Sequence, residues 1–140
     1  MFVFVFALSF LGNAQNTKQD QPKGYQFTDI KRLPTTSVKD QARAGTCWSW
    51  SGISFFESEM IRMGKEPIDL SAMYIVRHAY SDKADKFVRL HGNMNFAVGG
   101  AFCDVMHVIK NYGIVPMDVY MGLNYGEPNH AFGEIDDVLA

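Results

Sequence analysis

Cys47 is the residue best placed for covalent chemistry. It stands in the stretch VKDQARAGTCWSWSGISFFESEM, where a glycine-containing turn gives way to a long helical pattern. A thiol attacks a carbonyl carbon only as its thiolate, and the unsatisfied N–H groups at a helix N-terminus favour that charged form. The pattern places Cys47 at the first helical position, with Thr46 as N-cap. Acyl transfer also needs hydrogen-bond donors for the oxyanion of the tetrahedral intermediate. The backbone N–H of Cys47 offers one, and the side-chain amide of Gln41 is the natural second, with Gly45 permitting the turn that brings both to one point. Two plainer readings compete: Cys47 as a buried structural thiol, or as one end of a disulfide with Cys103.

Other reactive side chains offer less. Cys103 and His107 share one helical face and could form half a zinc site, but nothing is spaced to complete it, so both are expected at the edge of the core face. No metal or cofactor is implied. Trp48 and Trp50 read as packing residues, and SDKADKFVR as a solvated helix face with pairing at i, i+4.

The elements that must position these residues are mostly helical. The first helix runs from Cys47 to a glycine stop at Gly64 and is apolar on most faces, so it is expected to be buried. A second begins after Asp69 or Ser71, is expected to break near Ser81–Asp82, and ends before Gly92. NMNFAVGG is a loop whose Gly99–Gly100 pair permits close approach of a backbone or ligand. A third, amphipathic helix carries Phe102, Val105, Met106, Ile109 and Tyr112 and ends at Gly113; IVPMDVY is extended around Pro116.

At 140 residues, 47 % apolar and 14 % aromatic, the chain suits one core-bearing domain. Net charge is −2 with both signs mixed, which argues against nucleic-acid partners. The apolar run Phe2–Leu11, followed by Gly12 and Ala14, reads as a secretory signal over 1–14, too short for a membrane span of about 20 residues. A polar linker over 15–27 would follow. Export to a periplasmic or extracellular location, without stable membrane association after cleavage, is the expectation.

The segment QARAGTCWSWS resembles the nucleophile segment of papain-like cysteine peptidases, and DLS (Asp69–Ser71), GG (Gly99–Gly100) and YGIVP (Tyr112–Pro116) follow in the family's order. The resemblance implies an α+β papain-like fold, with residues 28–140 supplying the helical N-terminal half and the β-barrel half missing. It implies a cysteine-type peptidase with Cys47 as nucleophile, Gln41 in the oxyanion hole, and Gly99 and Gly100 as substrate contacts. Ala44 and Ala97 stand where secreted members carry disulfide partners, so both ends of one bridge are absent together. That absence, and the long helical segment after Leu70–Ser71, resembles the bleomycin hydrolase and aminopeptidase C branch. An exported bacterial member would reconcile that branch with the leader.

The family's catalytic His and Asn lie roughly 130–150 residues after the cysteine, beyond Ala140. His78, His91, His107 and His130 are therefore not assigned the role, and the chain is expected to be a fragment of low activity by itself. Peptides are the implied partners, with a homo-oligomer an option for the full-length parent. The alternative is a non-catalytic exported peptide-binding module.

Overall fold

Three helices carry the chain from Cys47 to Tyr112: α1 (Cys47–Arg62), α2 (Ala72–Arg89) and α3 (Phe102–Tyr112). The computed structural model describes Gly24, Tyr25, residues 27–124 and residues 126–133; the expected signal segment and the acidic tail after Gly133 lie outside them. The chain divides into two units, Met1–Ile30 and Lys31–Ala140. In the first, Tyr25 and Phe27 are exposed, with ring centroids 6.4 Å apart. The second holds all three helices.

The helices pack pairwise around Ile53, Ile75, Val76, Val105 and Val108, each wholly buried. Alpha-1 and α3 approach closely at Gly52, where an added Cβ would lie 2.8 Å from a Val105 methyl. Alpha-1 meets the start of α2 through the buried Ser49 hydroxyl, which donates to the Ala72 carbonyl at 2.8 Å. Among the described residues there are two isolated β-bridges and no extended strand: Leu70 pairs antiparallel with Pro116, and Arg43 pairs parallel with Ala131.

The Leu70 bridge joins two of the sequence motifs. Ser71 N–H donates to Val115 O and Met117 N–H to Asp69 O, both at 2.9 Å. Ser71, rather than Asp69, caps α2: its hydroxyl accepts from Tyr74 N–H at 3.0 Å and donates to Tyr120 O at 2.6 Å. DLS and YGIVP are thus the two sides of one isolated antiparallel bridge.

A buried carboxylate ties the segment before Cys47 to this body. Glu57, only 1 % exposed, accepts from the Thr36 hydroxyl, from Lys39 Nζ at 2.6 Å and from Leu70 N–H at 2.7 Å. Lys39 also reaches Asp69 at 2.8 Å. A buried charge is tolerable only when paired and hydrogen-bonded, and here the bonds join α1 to the segment before Cys47 and to Leu70.

Several expectations are corrected. Alpha-2 passes through Ser81–Asp82 unbroken, because its polar half finds partners on neighbouring segments rather than ending the helix. Its stop uses His91, at φ 53°, in the left-handed position expected of glycine, with Gly92 N–H returning to Phe87 O at 3.0 Å. Alpha-1 ends at Arg62, with Gly64 at φ 78° and Lys65 N–H returning to Met60 O at 2.9 Å. Alpha-1 is not buried all round. Trp48, Ser49, Gly52, Ile53 and Glu57 form its covered stripe, while Phe55 is 53 % exposed because α2 and α3 cover one side only. Alpha-3 likewise faces inward through Val105 and Val108, leaving Phe102 and Met106 half-exposed; Phe102 packs against the rings of Phe55 and Phe56.

Candidate active site

Cys47 is the first residue of α1 and its side chain region is exposed; Cys103 is exposed too, and both thiols are free. The disulfide alternative is therefore not formed, and the buried-thiol reading of Cys47 does not hold. Thr46 occupies the N-cap position but makes no side-chain cap. Its hydroxyl accepts instead from the Trp50 indole N–H at 3.0 Å. The helix start beside the thiol consequently has no side-chain cap; such a cap engages the second or third helical N–H and not that of Cys47, the one an oxyanion there would use.

The loop leading to Cys47 is built differently from expectation. Its turn spans Gln41–Ala44, closed by Ala44 N–H to Gln41 O at 3.3 Å. Ala42 takes the positive φ, 51°, helped by Asp40, whose carboxylate accepts from Ala42 N–H at 2.8 Å. Gly45 serves packing: an added Cβ would lie 3.1 Å from Val98. Gln41 Nε2 donates to Ala44 O at 2.9 Å. An amide nitrogen carries two hydrogens, so this bond anchors the side chain to the loop and leaves a second donor.

Residues 97–101 lie alongside. Gly45 faces Val98, and Gly100 faces Trp48, where an added Cβ would come within 2.6 Å of the indole ring. These contacts flank Cys47 in sequence, one before it and one after it, and so bring the glycine pair beside the helix start that carries the thiol. Gly99 has φ 112°, a conformation side chains rarely adopt, with open space on its Cβ side.

All three helices contribute contacts to the segment 97–101. Alpha-2 supplies Tyr80, whose hydroxyl oxygen accepts from Gly99 N–H at 3.3 Å, and Lys83, whose ammonium donates to Gly99 O at 2.5 Å. Alpha-3 supplies Asp104, whose carboxylate accepts from Ala101 N–H at 2.8 Å. Alpha-1 supplies Trp48, over which the Lys83 ammonium sits 5.9 Å from the ring centroid. Sequence reasoning missed Tyr80, Lys83 and Asp104, treating Lys83 as part of a solvated face. The i, i+3 spacing of Tyr80 and Lys83 was visible, but their target lies in a loop that no local pattern could connect to α2.

The four histidines lie in distinct settings. His78 stacks on Tyr112, centroids 4.3 Å apart, and meets Tyr74 at 4.5 Å. His107 pairs with Asp82 at 3.1 Å. The Tyr112 hydroxyl, donating to Asp82 at 2.6 Å, is the main influence holding that carboxyl below its ordinary value; His107 adds to it and burial opposes it. His91 lies at the far end of α2. His130 is buried near Trp50, with ring centroids 5.8 Å apart, and burial pushes its imidazole below the ordinary histidine value.

Cys103 and His107 are exposed, further from the core than expected, and no cluster of three or more metal-ligating side chains occurs among the described residues. No described helix is long and apolar enough to cross a membrane. No curated protein matches the chain. Residues 22–129 match the family described as papain family cysteine protease.

Proposed function

Since the chain belongs to the papain family of cysteine proteases, we propose that Cys47 is the nucleophile of a peptidase site whose other described parts are Gln41 and the Gly99–Gly100 edge. The observation that carries this reading is the exposed Cys47 at the uncapped start of α1, flanked by the Gly45–Val98 and Trp48–Gly100 contacts.

The substrate peptide lies along the glycine edge. Gly99 already uses its N–H and C=O on Tyr80 and Lys83, so the exposed backbone of Gly100 is the rung available for pairing with substrate. The Cys47 thiolate adds to the scissile carbonyl carbon, and the resulting oxyanion accepts from Cys47 N–H and from the second Gln41 amide hydrogen. Collapse expels the amine, which takes its proton from a histidine imidazolium, and leaves a thioester on Cys47. Water, deprotonated by the same imidazole, then releases the acid and the thiolate. None of the four histidines is assigned this base: His78 and His107 are engaged between α2 and α3, His91 forms the stop after α2, and His130 is buried beside Trp50. In this reading the base and its orienting asparagine belong to a second half of the full protein, and these 140 residues alone turn over little substrate.

Aminopeptidase action of the bleomycin hydrolase type is the finer proposal. It is supported by Ala44 and Ala97 at the family's bridge positions and by the long uninterrupted α2 after Ser71. Export in a bacterium is proposed from the apolar run Phe2–Leu11. The test is covalent labelling of the full-length protein with a peptidyl epoxide, followed by peptide mapping. Saturable modification at Cys47, matched by loss of peptide hydrolysis, is expected; hydrolysis that survives Cys47→Ala would sink the reading.

A further inference from the structure

We propose that Tyr80 and Lys83 are positioning residues that fasten the Gly99–Gly100 edge to the helical body, doing non-covalently what a disulfide between positions 44 and 97 would do. The proposal rests on the reading of that edge as the peptide-binding rung.

Gly99 is held at φ 112°, and an added Cβ there would meet nothing within 4 Å, so packing on that side does not fix its position. Its two polar groups are fixed instead, N–H by Tyr80 at 3.3 Å and C=O by Lys83 at 2.5 Å. Tyr80 is itself anchored: its ring is 7 % exposed and packs edge-on against Phe132, centroids 6.2 Å apart. Lys83 is half-buried, with its ammonium 5.4 Å from the Tyr80 ring centroid and 5.9 Å from that of Trp48. One cation therefore touches the edge carbonyl, the ring beneath Gly100 and the tyrosine that accepts from Gly99. A charge-assisted hydrogen bond reinforced by ring faces is directional and stronger than a neutral one.

The bridge positions point the same way. Ala44 is buried, and the residues immediately after Ala44 and Ala97, Gly45 and Val98, are in contact. The two segments still meet, without a covalent link, and the α2 pair supplies a tether one residue further along. A loosened rung would weaken peptide alignment while leaving the thiol in place, because the pair acts on the backbone of Gly99 and Lys83 meets the first turn of α1 at the Trp48 ring rather than at Cys47.

The experiment uses the full-length protein with Lys83→Met, Tyr80→Phe and the rescue variant Lys83→Arg. Tyr80→Phe keeps the buried ring, so it carries the test if Lys83→Met fails to fold. Hydrogen exchange read by mass spectrometry over residues 97–101 is expected to quicken about tenfold or more in Lys83→Met and Tyr80→Phe, with residues 48–60 unchanged and Lys83→Arg close to wild type. Saturable labelling of Cys47 by a peptidyl vinyl sulfone should need about tenfold more reagent in the same two variants, while the rate with iodoacetamide stays constant. Unchanged exchange over 97–101 in both variants overturns the proposal, as does faster exchange with unaltered peptidyl labelling. Wild-type protein whose Cys47 shows no saturable peptidyl labelling defeats the peptidase reading instead, a result that the exchange data distinguish from failure of the tether.

Discussion

At the scale of single residues, the site depends on what Thr46 and Gln41 do with their hydrogen bonds. Thr46 turns its hydroxyl to Trp50, which leaves the first turn of α1 without a side-chain cap just where Cys47 stands. Gln41 is pinned by one amide hydrogen to Ala44 O and keeps the other. Removing that amide should therefore impair the oxyanion step more than thiol reactivity. In the full-length enzyme, Gln41→Ala is expected to lower kcat for a fluorogenic amide by roughly 10²–10³, the range for losing one oxyanion donor. Iodoacetamide should modify Cys47 at an undiminished rate. Equal losses in both assays would remove Gln41 from the oxyanion role. Gly100→Ala should also be damaging, because its Cβ would collide with the buried Trp48 ring at 2.6 Å, and a melting curve would read the displacement.

At the scale of elements, Glu57 and Gly52 fix how α1 is set among its neighbours. Glu57→Ala would leave Lys39 with Asp69 alone and take the acceptor from the buried Leu70 N–H, and an unsatisfied buried donor costs about 1–3 kcal/mol. Urea denaturation should show that loss as a lowered midpoint. Glu57→Gln keeps an acceptor for Leu70 N–H and should lose less; equal effects of the two substitutions would mean that the charge, not the acceptor, carries the contribution. Gly52→Ala would press a methyl to 2.8 Å from Val105 across the α1–α3 contact, and such overpacking costs about 1–3 kcal/mol. A midpoint unchanged or raised would show that the two helices can separate without penalty.

At the scale of the whole molecule, pH acts on stability through His130. Burial holds its folded-state value below the ordinary 6.5, so the unfolded chain binds the proton more readily. Between the folded value and about 6.5 the unfolded state carries more protons, and stability therefore rises with pH across that window. Acidification below about 6.5 should destabilise the fold, with the loss complete once pH passes below the folded value. Thermal melts from pH 5 to 7.5 should show this slope, and His130→Gln should flatten it. A slope that persists in His130→Gln assigns the proton to another group. Asp82 acts at lower pH: its lowered value adds stability above the ordinary carboxylate range, lost on further acidification and modest because the side chain is 25 % exposed.

Three helical segments, the place of Cys47 at a helix start and the order of the motifs were legible along the chain, because these depend on neighbouring residues, whereas the continuity of α2 through Ser81–Asp82 was not. The 3.6-residue period, the Ser71 cap and the glycine after α1 are local signals, and each is found at or next to the position it marks. Folding alone brings DLS and YGIVP together at one bridge, lets the Thr46 hydroxyl accept from an indole, and takes Lys83 from a polar helix face to hold Gly99. It also decided which stripe of α1 is buried. The physical reason is the same in each case: a polar group takes the partner that folding brings near it, and that partner lies outside any local window of sequence.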